Sequence, residues 1–475
     1  MVSKVNRGKS ILASLDWSIV FVYLLLVFIG WISIYAAVYD EDHSGIVDMS
    51  QRYGMQLIWI FAGLVVALVM LLLDVRFYSV FANYVYLAIM LLLVFVLFFG
   101  IEVNGAKSWI AIGNVRLQPA EMAKVATALA LAKLMSGHSF KLDRISSIAK
   151  IATLILIPVV LIFLQHDVGS ALVFVSFIIM FYREGLSGWV MSLFVFLIAI
   201  FFLSLTLDPY VIYLIITGAS FAVYAVLSRR FMRAILLAVT FACIYICAGI
   251  ATDWLDITVS NEIVALACCG IFIVGGLYKA LKNKPHYIYV IVAFFIATAV
   301  FSYSVDYVVD NVLEPHQRVR IENLVGKNID LQKTGYNVHQ SEIAIGSGRF
   351  TGKGFLQGTQ TRYNYVPEQS TDFIFCTIGE EWGFIGCFVV ITLYLILSIR
   401  LVLISERQKS TFARIYGYCV VSIIFFHFFI NIAMTIGLAP VIGIPLPFIS
   451  YGGSSLWTFT ALLFIMLKLD ASRFQ

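Results

Sequence analysis

The chain has 475 residues, 61% hydrophobic and 12% charged, with a formal net charge of +5. Soluble domains average about half apolar and about a quarter charged, so this excess cannot be hidden in one aqueous core. Those values exclude a water-soluble globule, point to no nucleic-acid partner, and leave the lipid bilayer as the solvent.

Residues 1–16 carry Lys4, Arg7 and Lys9 ahead of a long apolar run. No small-residue cleavage site follows that run, so it is expected to stay as a first membrane span rather than leave as a signal peptide. A helix needs about 20 apolar residues to cross the hydrocarbon core. On that scale spans are predicted near 17–38, 54–73, 78–100, 119–136, 148–164, 168–182, 187–206, 209–227, 231–250, 263–280, 286–304, 371–400, 415–437 and 449–468. That makes about fourteen. The spans at 148–164 and 168–182 are short, and they meet at Gln165-His166-Asp167, which reads as a tight outer turn.

Cations orient the chain, because basic loops stay in the cytoplasm. With the N-terminus inside, every second loop should be basic. Arg76, Lys141, Arg144, Arg183, Arg229, Arg230, Lys282, Arg407, Lys409 and Arg473 all fall on predicted inner segments. The short outer loops hold Asp40, Glu41 and Asp42, or Asp253, Asp256 and Glu262. Both termini are therefore expected in the cytoplasm. Cys243, Cys247, Cys268, Cys269, Cys376, Cys387 and Cys419 lie in apolar stretches without zinc-site spacing, and read as small apolar fillers.

Two outer segments are more polar than the rest. Glu102–Pro119 runs into a helix start where Glu121 and Lys124 lie one turn apart. The second reaches from Tyr303 to Ser370 and carries closely spaced glycines (Gly346, Gly348, Gly352, Gly354, Gly358) without low complexity. A loop of that length in a compact chain is functional or disordered, and its composition favours an ordered loop lying on the membrane. Glu380-Glu381, just inside the next span, must face a polar cavity or a partner. Carboxylates beside cations at an outer surface suit a general base working next to a phosphate-bearing lipid.

Six strings then carry a resemblance: NGAKSWIAIGNVRLQPAEMAK (104–124), QHDVGSALV (165–173), HQRVRI (316–321), GYNVHQSEIAIGSGRFTGKGFLQGTQ (335–360), VPEQSTDFIFCTIGEEWGFIG (366–386) and GLAPVIGIPLPFISYGGSS (437–455). In sequence and order they resemble the SEDS family of bacterial peptidoglycan glycosyltransferases. Gly-Thr-Gln at 358–360 and Pro-Glu-Gln at 367–369 look more like its RodA branch than its FtsW branch.

The resemblance implies an all-α polytopic membrane protein, a SEDS-type helical bundle with a large extracytoplasmic loop. It implies polymerisation of lipid II at the outer face of the plasma membrane, with β-1,4 linkage, inversion and release of undecaprenyl pyrophosphate, in the service of elongation and rod shape. It makes Asp330 the catalytic base, six residues before Tyr336 of the Gly-Tyr pair. Leu331 stands where the family often has Pro, and Asp306 and Asp310 are the other loop carboxylates to consider. By the same resemblance Trp109, Glu121, Lys124, Arg318, Arg320, Lys353, Glu368 and Asp372 are candidate substrate-binding residues.

Each candidate also has a plainer reading. Trp109 can be an interfacial anchor, and Glu121 with Lys124 a structural lock. Arg318 and Arg320 hold pyrophosphate or pair within the loop. Glu368 and Asp372 line the site, hold a divalent ion or cap the incoming helix. A divalent cation, Mg or Mn, is the cofactor such chemistry could use, although no dedicated ligand set stands out.

The family usually has ten spans, so about four inserted transmembrane helices are expected. The division read from this is 1–16 cytoplasmic, 17–206 first core helices, 207–285 inserted helices, 286–304 a core helix, 305–370 the catalytic loop and 371–475 the last core helices. The partners implied are a class B penicillin-binding protein transpeptidase and other elongation-complex membrane proteins. The rival function is a flippase for the lipid-linked precursor. A transporter would carry its key charges at mid-membrane between repeated halves, and no internal repeat is visible.

Overall fold

The computed structural model describes residues 14–39, 48–103, 105–113, 115–138, 140–142, 144–255, 259–283, 286–311, 335–363 and 365–473. The chain divides into two compact units, one of residues 1–187 with 331–475 and the other of residues 188–330.

The first unit opens with α1 (Trp17–Ala37), α2 (Arg52–Leu72) and α3 (Val75–Phe99). Asp74 starts α3 by accepting the Arg76 amide at 2.7 Å, the exchange that makes Asp a good N-cap. A small antiparallel sheet follows, of β1 (Ile101–Val103), β2 (Ala106–Ile112) and β3 (Val115–Leu117). Next come α4 (Pro119–Met135), with proline at its first position, and α5 (Ile145–Leu164). The segment Val168–Arg183 is broken into α6 (Val168–Leu172), a 3₁₀ turn at Val173–Ser176 and α7 (Phe177–Arg183).

After the second unit the chain returns as α13 (Tyr336–Ser347), the short α14 (Thr359–Arg362), α15 (Ile374–Glu406), α16 (Thr411–Thr435) and α17 (Gly453–Ala471). α4, α16 and α17 are the centre of this unit: nearly every side chain along α4 and α17 is buried. The second unit holds α8 (Gly188–Thr206), α9 (Pro209–Ser228), α10 (Phe231–Trp254), α11 (Asn261–Asn283) and α12 (His286–Asn311). These pack around a core of their own that includes Ile200, Ile212, Phe241, Cys268 and Phe295.

Twelve helices among the described residues are long and apolar enough to cross a membrane. Two of the fourteen predicted spans are not among them. α4 has 17 residues and carries Glu121, Lys124 and Lys133, so it runs through the protein interior rather than facing lipid. Val168–Arg183 is too short and irregular. Three further differences have local causes. The sheet at 101–117 interrupts what is otherwise helix and loop among the described residues, its alternation too short to read in advance. α12 extends to Asn311, seven residues past the predicted end, so Asp306 and Asp310 lie on a helix. α8 and α12, predicted as part of the shared core, pack in the same unit as the helices of 207–285.

One end of the first unit is closed by ions. Asp470, nearly buried, accepts Arg407 Nε at 2.9 Å, Gln408 Nε2 at 2.8 Å and Arg473 Nη1 at 2.9 Å. Asp16 accepts Arg400 at 2.9 Å and Arg407 at 3.2 Å. Burial pushes the Asp16 carboxyl up, but hydrogen bonds from Ser18 and Arg400 and the two guanidinium charges outweigh it and hold it below the usual carboxylate range. This network ties the start of α1 to the α15–α16 turn and the end of α17.

Candidate active site

The opposite end of the same unit gathers four of the six motif strings. The Lys107 amide donates to the Gln165 carbonyl at 3.0 Å, and Gln118 Nε2 to Asp167 at 2.7 Å. Asp167 in turn accepts the Ser170 amide at 3.1 Å, starting α6. Gly169 sits so close to the 437–452 loop that a Cβ there would lie 2.1 Å from the Ile442 carbonyl oxygen. That loop is tied to 366–373 by the Tyr451 amide on the Ser370 carbonyl at 2.9 Å and by Ser450 Oγ on the Thr371 carbonyl at 2.6 Å. Asn431 of α16 donates to both the Asp372 and the Ile444 carbonyls, at 2.8 and 2.7 Å.

Arg52, the first residue of α2, lies at this junction. Its guanidinium donates to Ser370 Oγ at 2.7 Å, lies 3.8 Å from Glu368 and stands over the Tyr451 ring. Arg52 and Glu368 are both substantially exposed, so a cation and a carboxylate face outward together. Glu368 has a φ of 52° and also accepts Thr371 Oγ1 at 2.9 Å. Arg52 was not anticipated. The signal was present, since a cation at the outer boundary of a span contradicts the positive-inside pattern.

Below that surface, Glu121, Lys124 and His427 form a buried chain. Lys124 Nζ donates to Glu121 Oε1 at 2.7 Å and reaches His427 Nε2 at 2.9 Å. Each of the three is at most 2% exposed. An ammonium only donates, so His427 Nε2 is an acceptor and its proton sits on Nδ1, which donates to the Pro445 carbonyl at 3.1 Å. The Phe459 ring closes the far side of the ammonium at 5.2 Å. The chain therefore links α4 to α16 and on to the 437–452 loop. His427 lies in the apolar run of α16, and nothing in its neighbours announces a partner 303 residues earlier in the chain.

The glycine-rich segment wraps a break in α15. Gly383 has a φ of 63° and interrupts that helix. The freed backbone groups are taken by 349–354: Phe384 N donates to the Arg349 carbonyl at 2.9 Å, Lys353 N to the Glu380 carbonyl at 3.0 Å and Gly354 N to the Glu381 carbonyl at 3.0 Å. Irregular backbone at membrane depth needs such internal partners. Glu380, fully buried, accepts Lys353 Nζ at 2.6 Å together with the amides of Thr359, Gln360 and Thr361 at 2.8–2.9 Å. Glu381 accepts the Leu356 amide at 3.1 Å. The demand that Glu380-Glu381 meet polar partners is satisfied by this loop, and Lys353 is engaged in it.

The glycines separate cleanly on geometry. Gly352 has a φ of 82°, and a Cβ there would lie 2.0 Å from the Glu381 carbonyl oxygen, whereas Gly346 has open space. Gly352→Ala is expected to cost well over about 1 kcal/mol and Gly346→Ala to be neutral or slightly stabilising. Thermal unfolding of the two variants in detergent checks this, and equal midpoints would contradict the packing.

Trp109 lies on β2, half-buried and paired across the sheet with Ile101. Asp372 stands one residue before the helix N-cap Phe373, close to Gly443. Asp330, Arg318 and Arg320 lie outside the described residues, and their positions carry no geometry here. The structure thus brings Glu368, Asp372 and the missed Arg52 to one surface, with Glu121 and Lys124 beneath it.

A family model described as cell cycle protein, FTSW_RODA_SPOVE, matches residues 16–217 and 209–475. The peptidoglycan glycosyltransferase RodA of Treponema pallidum is 30% identical over 467 residues, 98% of this chain and 99% of that one. The peptidoglycan glycosyltransferase MrdB of Escherichia coli K12 is 30% identical over 415 residues, 86% of this chain and 83% of that one. Among solved structures, a chain from a study of how a peptidoglycan synthase complex coordinates polymerization and crosslinking superposes with a TM-score of 0.62. It is 23% identical, covering 97% of this chain and 99% of that one, and establishes likeness of fold.

Proposed function

The chain belongs to the FtsW, RodA and SpoVE family of cell cycle proteins, and from that premise we propose that it polymerises lipid II at the outer face of the plasma membrane. It is a multi-pass membrane protein and a peptidoglycan glycosyltransferase of bacterial cell-wall synthesis. The observation that carries the finer reading is the convergence of the 104–124, 165–173, 366–386 and 437–455 segments on one end of one unit. The family signature is thereby a place and not only a string.

In the proposed reaction Asp330 takes the proton of the acceptor GlcNAc 4-hydroxyl as that oxygen attacks C1 of the donor MurNAc. The C1–oxygen bond to pyrophosphate breaks on the opposite face, giving a β-1,4 link and undecaprenyl pyrophosphate. Arg52 at this surface, and by family likeness Arg318 and Arg320, supply cations suited to the pyrophosphate. Glu368 holds Arg52 in place from 3.8 Å, and Asp372 lies in the same turn. Among the described residues no three His, Cys, Asp or Glu side chains group as a cation site.

The alternation of cationic loops along the sequence supports a topology with both termini in the cytoplasm. By family likeness, a class B penicillin-binding transpeptidase and other elongation proteins are the partners. The test is purified full-length protein with lipid II in detergent, resolved by gel. Glycan chains with one undecaprenyl pyrophosphate per linkage are expected. Absence of polymer, even with the transpeptidase added, combined with movement of lipid II across proteoliposomes would replace this reading with a flippase.

A further inference from the structure

At the ion-closed end of the first unit lies a crevice of about 480 Å³, between the starts of α3 and α16 and the ends of α4 and α17. Arg76, Lys133, Lys409 and Arg473 line it, with the hydroxyls of Ser79, Ser136, Ser410, Thr411 and Ser472, and among the described residues no carboxylate joins the lining. Its floor is apolar, made of Phe412, Ala413 and Leu469. Two acids of the flanking helix ends, among the described residues, are already engaged. Asp470 is held by Arg407, Gln408 and Arg473, and Asp74 caps the Arg76 amide.

A second feature points the same way. α16 is 25 residues long, and its N-cap Ser410 makes no side-chain cap hydrogen bond. Thr411, Phe412 and Ala413, the first turn of that helix, border the crevice. A helix leaves its first amides without intrahelical acceptors and carries partial positive charge at that end, which suits a phosphate oxygen. Cations alone would follow from the positive-inside rule. Cations around an apolar-floored cavity, with a helix start whose N-cap side chain makes no cap hydrogen bond and no acid among the described lining residues, form a receptor for an anion with an apolar body.

We propose that this crevice binds the phosphate headgroup of an anionic phospholipid of the inner leaflet, with the glycerol and upper acyl chain resting on Phe412 and Leu469. The placement in the inner leaflet rests on the topology proposed above. Basic pockets between helices on the cytoplasmic side recognise such headgroups. A lipid there would join α3, α4, α16 and α17, and of these α4, α16 and α17 carry the buried Glu121–Lys124–His427 chain and the Phe459 ring against it.

Full-length protein in detergent, titrated with fluorescent phosphatidylglycerol, tests the idea without any use of lipid II. Unlabelled phosphatidylglycerol should compete and phosphatidylcholine should not. R76Q/K133Q/K409Q should weaken binding at least about tenfold, and R76K/K133R/K409R should restore it. Lys133→Gln alone, an exposed single change, should weaken binding measurably, and so decides the matter if the triple variant unfolds. Undiminished binding by either glutamine variant overturns the proposal. Competition by inorganic phosphate as effective as that of the lipid overturns the lipid assignment in favour of free phosphate. Labelling of Ser410→Cys by an impermeant maleimide from outside intact cells would overturn the inner-leaflet placement, independently of the binding result.

Discussion

Replacing Asp330 with asparagine is expected to lower lipid II polymerisation by about 10²–10⁴-fold, the usual contribution of a positioned general base. The amide has the size of the carboxyl and cannot take the proton. The detergent-solubilised variant should keep the parent's thermal unfolding midpoint, which separates loss of a proton acceptor from loss of the fold. The described carboxylates sharpen this expectation by what they are already doing. Glu380 is fully buried and saturated by Lys353 and three amides, and Glu121 is bound to Lys124 inside the bundle. Both are buried, Glu121 at 2% and Glu380 at 0% exposure, and neither is open to a sugar hydroxyl. Glu368, paired loosely with Arg52, is placed to organise charge, and Glu368→Gln should cost far less than Asp330→Asn. Undiminished polymer from Asp330→Asn would move the base to Asp306, Asp310 or Asp372.

The membrane spans were legible because a bilayer demands long apolar runs whatever their neighbours. Each predicted span corresponds to a helical segment, and the misfits come from residues with special backbone duties. Gly383 breaks α15 so that the loop can pair with its carbonyls, an event invisible to a hydropathy reading. α4 runs from the site end of its unit to the ion-closed end, but its residues face protein rather than lipid, so it need not be as long or as apolar as the other spans. At the site, the acids and the lysine of a recognisable string could be named in advance. Arg52 and His427 could not be placed, because their meaning depends on partners 318 and 303 residues away. Recognition by string finds what is written contiguously, whereas packing writes the rest across helices.

Lys124→Met is expected to destabilise the protein by about 3–5 kcal/mol, the cost of leaving one member of a buried ion pair alone. The geometry puts this change at the upper end. Glu121 Oε2 already has no hydrogen-bond partner, so losing Nζ would strand the whole carboxylate, and His427 Nε2 would lose its donor as well. The double variant Glu121→Gln/Lys124→Met removes both charges and should regain most of the lost stability, since well-packed neutral replacements of buried pairs are often tolerated. Its activity then separates two roles that the sequence leaves open. If polymerisation returns with stability, the pair is a lock holding α4 against α16. If stability returns while the rate stays low and KM rises, Lys124 also acts on substrate through the 437–452 loop. His427→Gln discriminates further, because its amide oxygen can still accept from Lys124 and its NH₂ can donate to the Pro445 carbonyl. Near-parental rates in His427→Gln with loss in His427→Phe would establish that the hydrogen-bonded path from Lys124 to Pro445, rather than the volume of the ring, sets the loop in its working position.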